Sequence, residues 1–136
     1  MIKNIVFDMD GVLLDTEAVF MRCWKKLGEE LHLPNVEETA RKCIGITVTQ
    51  TEALFQKEYG EKYPCESYVG AANAIFYRQE AEQGIPEKPG VHELFAYLKE
   101  QNYRIGLASS TQQQAVYRQM KAAGIFDDFD LSLIHI

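Results

Sequence analysis

Ile5, Val6 and Phe7 close a short, mainly apolar run from Ile2 to Phe7, and no second strand-like run follows until Tyr103. Three apolar residues in succession read as a strand buried on both faces, the kind parallel sheets use. Between the two runs the pattern is helical. Phe20, Cys23, Trp24, Leu27 and Leu31 recur at steps of three and four, one apolar stripe that Pro34 brings to a stop. Further helices are expected near 36–43, 48–59 and 66–82, with breaks at Gly45 and from Tyr59-Gly60 through Pro64. The cluster Gly84-Ile-Pro-Glu-Lys-Pro-Gly90 marks an internal boundary. Behind it Val91, Leu94, Phe95 and Leu98 line one helix face, and Asn102 suits the end of that helix. Tyr103 to Ala108 reads as the second buried strand. Ser110 or Thr111 suits the cap of a last helix, with Val116, Met120 and Ala123 facing inward and Gly124 at its close. The order strand, helical insert, helix, strand, helix implies an α/β chain whose parallel sheet is interrupted after its first strand. The expected division is 1–14 with 83–136 for the sheet and 15–82 for the insert.

The 136 residues suffice for one domain, or for a small core with a modest insert. A net charge of -6 with no basic stripe argues against nucleic acid or an anionic membrane as partner and leaves small molecules. No stretch approaches 18 apolar residues, and the N-terminus lacks a signal peptide's layout. Cys23, Cys43 and Cys65 are odd in number, widely spaced and without a C-x-x-C pair, so they are expected to be reduced helix residues of a cytoplasmic protein, whose intact parent is expected to be a monomer.

The chemistry concentrates where the strands end. In Ile5-Val-Phe-Asp-Met-Asp-Gly11, Asp8 and Asp10 stand two positions apart, which in an extended chain sends both to one side. Ligands of open α/β sheets bind outside the carboxyl ends of the strands. Two ionised carboxylates this close repel unless a cation or a proton intervenes. Ser109 closes the second strand just ahead of a helix, where a hydroxyl and free N–H groups suit phosphate oxygens. If the strands are neighbours, Ser109 lies about 5 Å from Asp8. Plainer readings exist for each residue. The aspartates could merely begin a turn, Ser109 could only cap a helix, and Thr16 and Glu17 could serve the start of the first insert helix as cap and dipole partner. Trp24 reads as core, and His32 and His92 as surface residues.

Asp8-Met-Asp-Gly-Val12 with Asp15-Thr16 behind it resembles the first motif of the haloacid dehalogenase superfamily, and Ala108-Ser-Ser110 is similar to its second. The helical insert resembles the cap of its sugar-phosphate phosphatase and β-phosphoglucomutase branch. The resemblance covers the chain to about Asp130. It implies a Rossmann-like core and a magnesium-dependent phosphatase acting on a small phosphorylated metabolite, a sugar phosphate first. By the same resemblance Asp8 is the nucleophile that forms an aspartyl-phosphate, and Asp10 the proton donor that later activates water. Magnesium falls to the Asp8 carboxylate and the Asp10 carbonyl, the phosphoryl group to Ser109 and the Ser110 N–H, and a substrate contact to Glu17.

The rival reading is a β-phosphoglucomutase-type isomerase, but its cap histidine and phosphate-gripping arginine correspond here to Phe20 and Val48. A receiver-like phospho-acceptor domain is the non-enzymatic alternative, and the long insert after the first strand speaks against it. Dehalogenation would leave Asp10 without a proton to deliver. The superfamily's third-motif lysine and fourth-motif acidic pair have no counterpart in this sequence. Leu131-Ser-Leu-Ile-His-Ile136 resembles one reading frame of a transposase adaptor end. The chain is therefore expected to be the front part of an interrupted enzyme, with 131–136 an artefact, and to be inactive as written.

Overall fold

Two strands, Asn4–Phe7 (β1) and Arg104–Ser109 (β2), pair in parallel with Phe7 opposite Leu107 in the computed structural model, which describes residues 1–130 and 134–135. The backbone of Ile134–His135 (β3) pairs in parallel on the other side of β2, giving the order β1-β2-β3. The rest of the terminal hexapeptide, 131–133 and 136, lies outside the described residues. Six helices are described: Thr16–Leu31 (α1), Val36–Lys42 (α2), Val48–Tyr59 (α3), Tyr68–Gln83 (α4), Val91–Glu100 (α5) and Gln113–Ala122 (α6). The chain divides into two compact units, Met1–Glu17 with Gly84–Ile136, and Ala18–Gln83. None of the described helices is long and apolar enough to cross a membrane.

In the sheet unit Ile105, Leu107, Phe95, Leu98, Val116, Met120 and Ile125 are buried together. Phe7 meets Phe95 of α5 at 5.3 Å between ring centroids, so α5 covers the sheet face that carries Phe7. The opposite face of β1 departs from expectation: Val6 is 52% exposed rather than buried. Side chains alternate across a strand, so Val6 lies on the face opposite Phe7. The two connections to the helical unit run side by side. The Asp15 N–H donates to the Pro86 carbonyl (2.7 Å), the Lys88 N–H to that of Leu13 (2.8 Å), and Leu14 forms an antiparallel bridge with Glu87. The Lys88 ammonium stands 3.2 Å from the Asp15 carboxylate.

The helical unit has an aromatic centre. Trp24 is buried and stacks on Phe55 at 4.2 Å, and Tyr59 and Tyr68 pack around the same ring. Gly28 of α1 sits where a methyl group would run into the Val36 side chain of α2, so the two helices approach closely there. Two expectations are corrected. The residue preceding α6 is Gln112, without a side-chain cap bond, so neither Ser110 nor Thr111 is its cap. Of the three cysteines only Cys23 lies in a helix, Cys43 following α2 and Cys65 standing between α3 and α4.

Candidate active site

The site begins as a turn with a fixed pivot. Met9 is fully buried (0% exposed), and its carbonyl accepts the N–H groups of Val12, Leu13 and Leu14 at 3.3, 2.9 and 3.1 Å. Gly11 takes a left-handed φ of 72°, which a side chain would resist, and its N–H donates to the Leu14 carbonyl at 2.8 Å. The chain thus doubles back immediately after β1. Asp8 and Asp10, on either side of the buried Met9, are left exposed at the strand's carboxyl end. The Met9 N–H donates to Asp8 Oδ1 at 2.7 Å, which restrains that side chain.

β2 delivers the second half. Ser109 is its last residue and is 1% exposed, and the parallel register sets the ends of the two strands next to each other. Ser109 Oγ accepts the N–H of Thr111 at 3.1 Å. Thr111 Oγ1 donates to Asp10 Oδ2 at 2.6 Å, a bond between residues 101 positions apart. Ser110 is exposed. Glu17, in the first turn of α1, has its Oε1 about 3.5 Å from where a Cβ on Gly11 would stand, beside the turn that carries Asp10. Thr111 is the residue that sequence reasoning missed. The signal available was a Ser-x-Thr step in which a hydroxyl can accept the N–H two residues on, but a threonine ahead of a helix reads first as a cap.

Chemically the strand ends offer the two carboxylates of Asp8 and Asp10, the three hydroxyls of Ser109, Ser110 and Thr111, and no exposed soft donor. Among the described residues no group of three His, Cys, Asp or Glu could enclose a metal ion. An oxygen-only pair still suits magnesium, which commonly takes one or two carboxylates and completes its shell with water and substrate phosphate.

The profile of the haloacid dehalogenase-like hydrolases matches residues 5–135. The chain belongs to that family. A phosphorylated carbohydrates phosphatase of Thermotoga maritima is 25% identical over 95% of this chain and 59% of its own length. A phosphoglycolate phosphatase of Nitrosococcus oceani is 32% identical, again over 95% and 59%. This haloacid dehalogenase-like chain therefore spans about three fifths of the curated relatives it matches. A solved structure, the provisionally assigned β-phosphoglucomutase of Thermotoga maritima, superposes with a TM-score of 0.75 at 23% identity over 98% of this chain and 61% of that one. The α/β architecture with its parallel sheet is the fold of this family.

Proposed function

We propose that this chain carries the nucleophile and part of the phosphate pocket of a magnesium-dependent phosphatase that hydrolyses a small phosphorylated metabolite, a sugar phosphate first. The observation that supports this best is the parallel register of β1 and β2, with its consequence that Asp8, Asp10 and Ser109 share one sheet edge. In this reading Asp8 attacks phosphorus and the bond to the leaving oxygen breaks. The Asp10 carboxyl gives its proton to that oxygen. A water then attacks the aspartyl-phosphate, loses a proton to Asp10, and the Asp8–phosphorus bond breaks to release inorganic phosphate. The Ser109 hydroxyl and the Ser110 N–H hold the phosphoryl oxygens. The Asp8 carboxylate and the Asp10 carbonyl would hold magnesium, whose charge offsets repulsion between an anionic nucleophile and an anionic phosphate. The helical unit acts as a cap, and Glu17 contacts the substrate.

The relatives' names, a phosphatase of phosphorylated carbohydrates and one of phosphoglycolate, support hydrolysis of small phosphate esters. Return of the phosphoryl group to a sugar is less favoured. The position matching the mutase's cap histidine is Phe20, stacked on Phe76 at 4.4 Å, and the one matching its phosphate-gripping arginine is the exposed Val48, which cannot grip an anion. The test is a steady-state assay of the full-length protein across sugar phosphates and phosphoglycolate, with magnesium and then with EDTA. Asp8→Asn is expected to abolish turnover, and Asp10→Asn to slow it by about 10²–10⁴-fold. Turnover that persists in Asp8→Asn, or after chelation, refutes the mechanism, whereas sugar isomerisation without phosphate release would select the mutase.

A further inference from the structure

Thr111 makes one bond to each half of the site, and neither bond serves a helix. Its N–H donates to Ser109 Oγ, and its hydroxyl to Asp10 Oδ2. The residue preceding α6, Gln112, makes no side-chain cap bond, and the Thr111 hydroxyl, next to that helix start, is used on Asp10 instead. We propose that Thr111 is the positioning residue of Asp10: it fixes Oδ2, so that Oδ1 is the oxygen that carries the proton to the leaving group and takes one from water. This rests on the reading of Asp10 as proton donor given above.

The geometry favours a fixed carboxylate over a mobile one. Asp10 is exposed, and a free aspartate there would sample several rotamers. A hydroxyl-to-carboxylate bond of 2.6 Å lies in the short range of charge-assisted bonds. Threonine is stiff about its first torsion because it branches at Cβ. Its backbone is itself tied to the buried Ser109 at the end of β2. A rigid path thus runs from the sheet through Ser109 and Thr111 to the acid. The bond also suits both states of the cycle. With Asp10 ionised the hydroxyl donates to Oδ2, and with the proton on Oδ1 it donates to the same oxygen. A proton on Oδ2 would force the hydroxyl to turn round and accept. Ser109 gains as well: because its Oγ accepts from Thr111, its own hydroxyl hydrogen remains available to a phosphoryl oxygen.

The experiment compares Thr111→Val, which keeps the shape and loses the hydroxyl, with Thr111→Ser, which keeps the hydroxyl, in the full-length protein. Two substrates are used, an alkyl phosphate such as a sugar phosphate and p-nitrophenyl phosphate, whose leaving group needs little protonation. Thr111→Val is expected to lower kcat/KM for the alkyl phosphate by roughly 10–100-fold, the scale of one lost charge-assisted bond. The loss on p-nitrophenyl phosphate is expected to be several-fold smaller, and Thr111→Ser to stay within about threefold of the parent. Crystal structures of both variants provide a readout apart from turnover: Asp10 should leave its rotamer in Thr111→Val and keep it in Thr111→Ser. Equal losses on the two substrates, equal behaviour of the two variants, or an unmoved Asp10 in Thr111→Val overturns the proposal. Asp10→Asn measured alongside separates the two readings, since its own indifference to the leaving group would count against Asp10 as the acid, whatever Thr111 does.

Discussion

Glu52 does for one helix what a local cap does for others, from a distance. It sits in α3, yet its carboxylate accepts the N–H groups of Tyr68 (3.1 Å) and Val69 (2.8 Å), the first two residues of α4, together with the Ser67 hydroxyl and the Gln56 amide. Those N–H groups have no partner within their own helix, and a negative charge there also meets the positive end of its dipole. Burial pushes the Glu52 carboxyl up, but the bonds from Val69, Gln56, Tyr68 and Ser67 outweigh it and hold the acid below its ordinary value of 4.5. A depressed carboxyl stabilises the folded state above the unfolded value and loses that contribution as pH falls through the folded one. Glu52→Gln should therefore lower stability at pH 7 by about 1–2 kcal/mol, read from urea midpoints, and the gap to the parent should narrow below about pH 4. An unchanged gap at low pH would mean that the charge is not the cause. The placement of Asp8, Asp10 and Ser109 at the ends of the two strands was legible in the sequence, because each is marked locally by the end of an apolar run. Glu52 and Thr111 were not, because their partners lie 16 and 101 positions away and nothing in either local pattern announces them.

At the level of elements, helix extents were read well where an apolar stripe met a breaker, as in α1, or where breakers bounded the helix on both sides, as in α3. What periodicity does not report is how closely two stripes approach, or what covers a strand's second face. Val6 shows the latter: an apolar residue in a short run looks buried whether or not a helix lies over it. Gly28 shows the former. Replacing a mid-helix glycine by alanine ordinarily gains about 1 kcal/mol. Here the added methyl meets Val36, which is buried in the first turn of α2, and overpacking of that kind costs about 1–3 kcal/mol. The overpacking should win, so Gly28→Ala is expected to lower the thermal midpoint. Adding Val36→Ala should be less harmful than the sum of the two single changes, because the smaller side chain makes room. Strict additivity, measured in the same thermal scans, would deny that the two residues compete for space.

On the scale of the whole molecule, each unit has its own centre of packing. The helical unit owns the Trp24, Phe55, Tyr59 and Tyr68 cluster and the Glu52 cap, and both are formed within 18–83. Residues 18–83 expressed alone should fold into a helical protein with a cooperative thermal transition and a near-ultraviolet signal from the immobilised Trp24. Far-ultraviolet helicity without that signal would show that the aromatic cluster needs the rest of the chain. The paired connections of the sheet unit bear on the family's history. Leu13 to Asp15 and Pro86 to Lys88 lie side by side, joined by backbone bonds of 2.7 and 2.8 Å. An antiparallel pair of that kind can be closed by a turn of two residues, and an insertion whose ends already touch adds little constraint to its host. The helices between them can therefore be removed, lengthened or exchanged as a cassette without unpicking the strand that leads into the aspartates. Changes among those helices can thus leave the turn that holds Asp8 and Asp10 as it was.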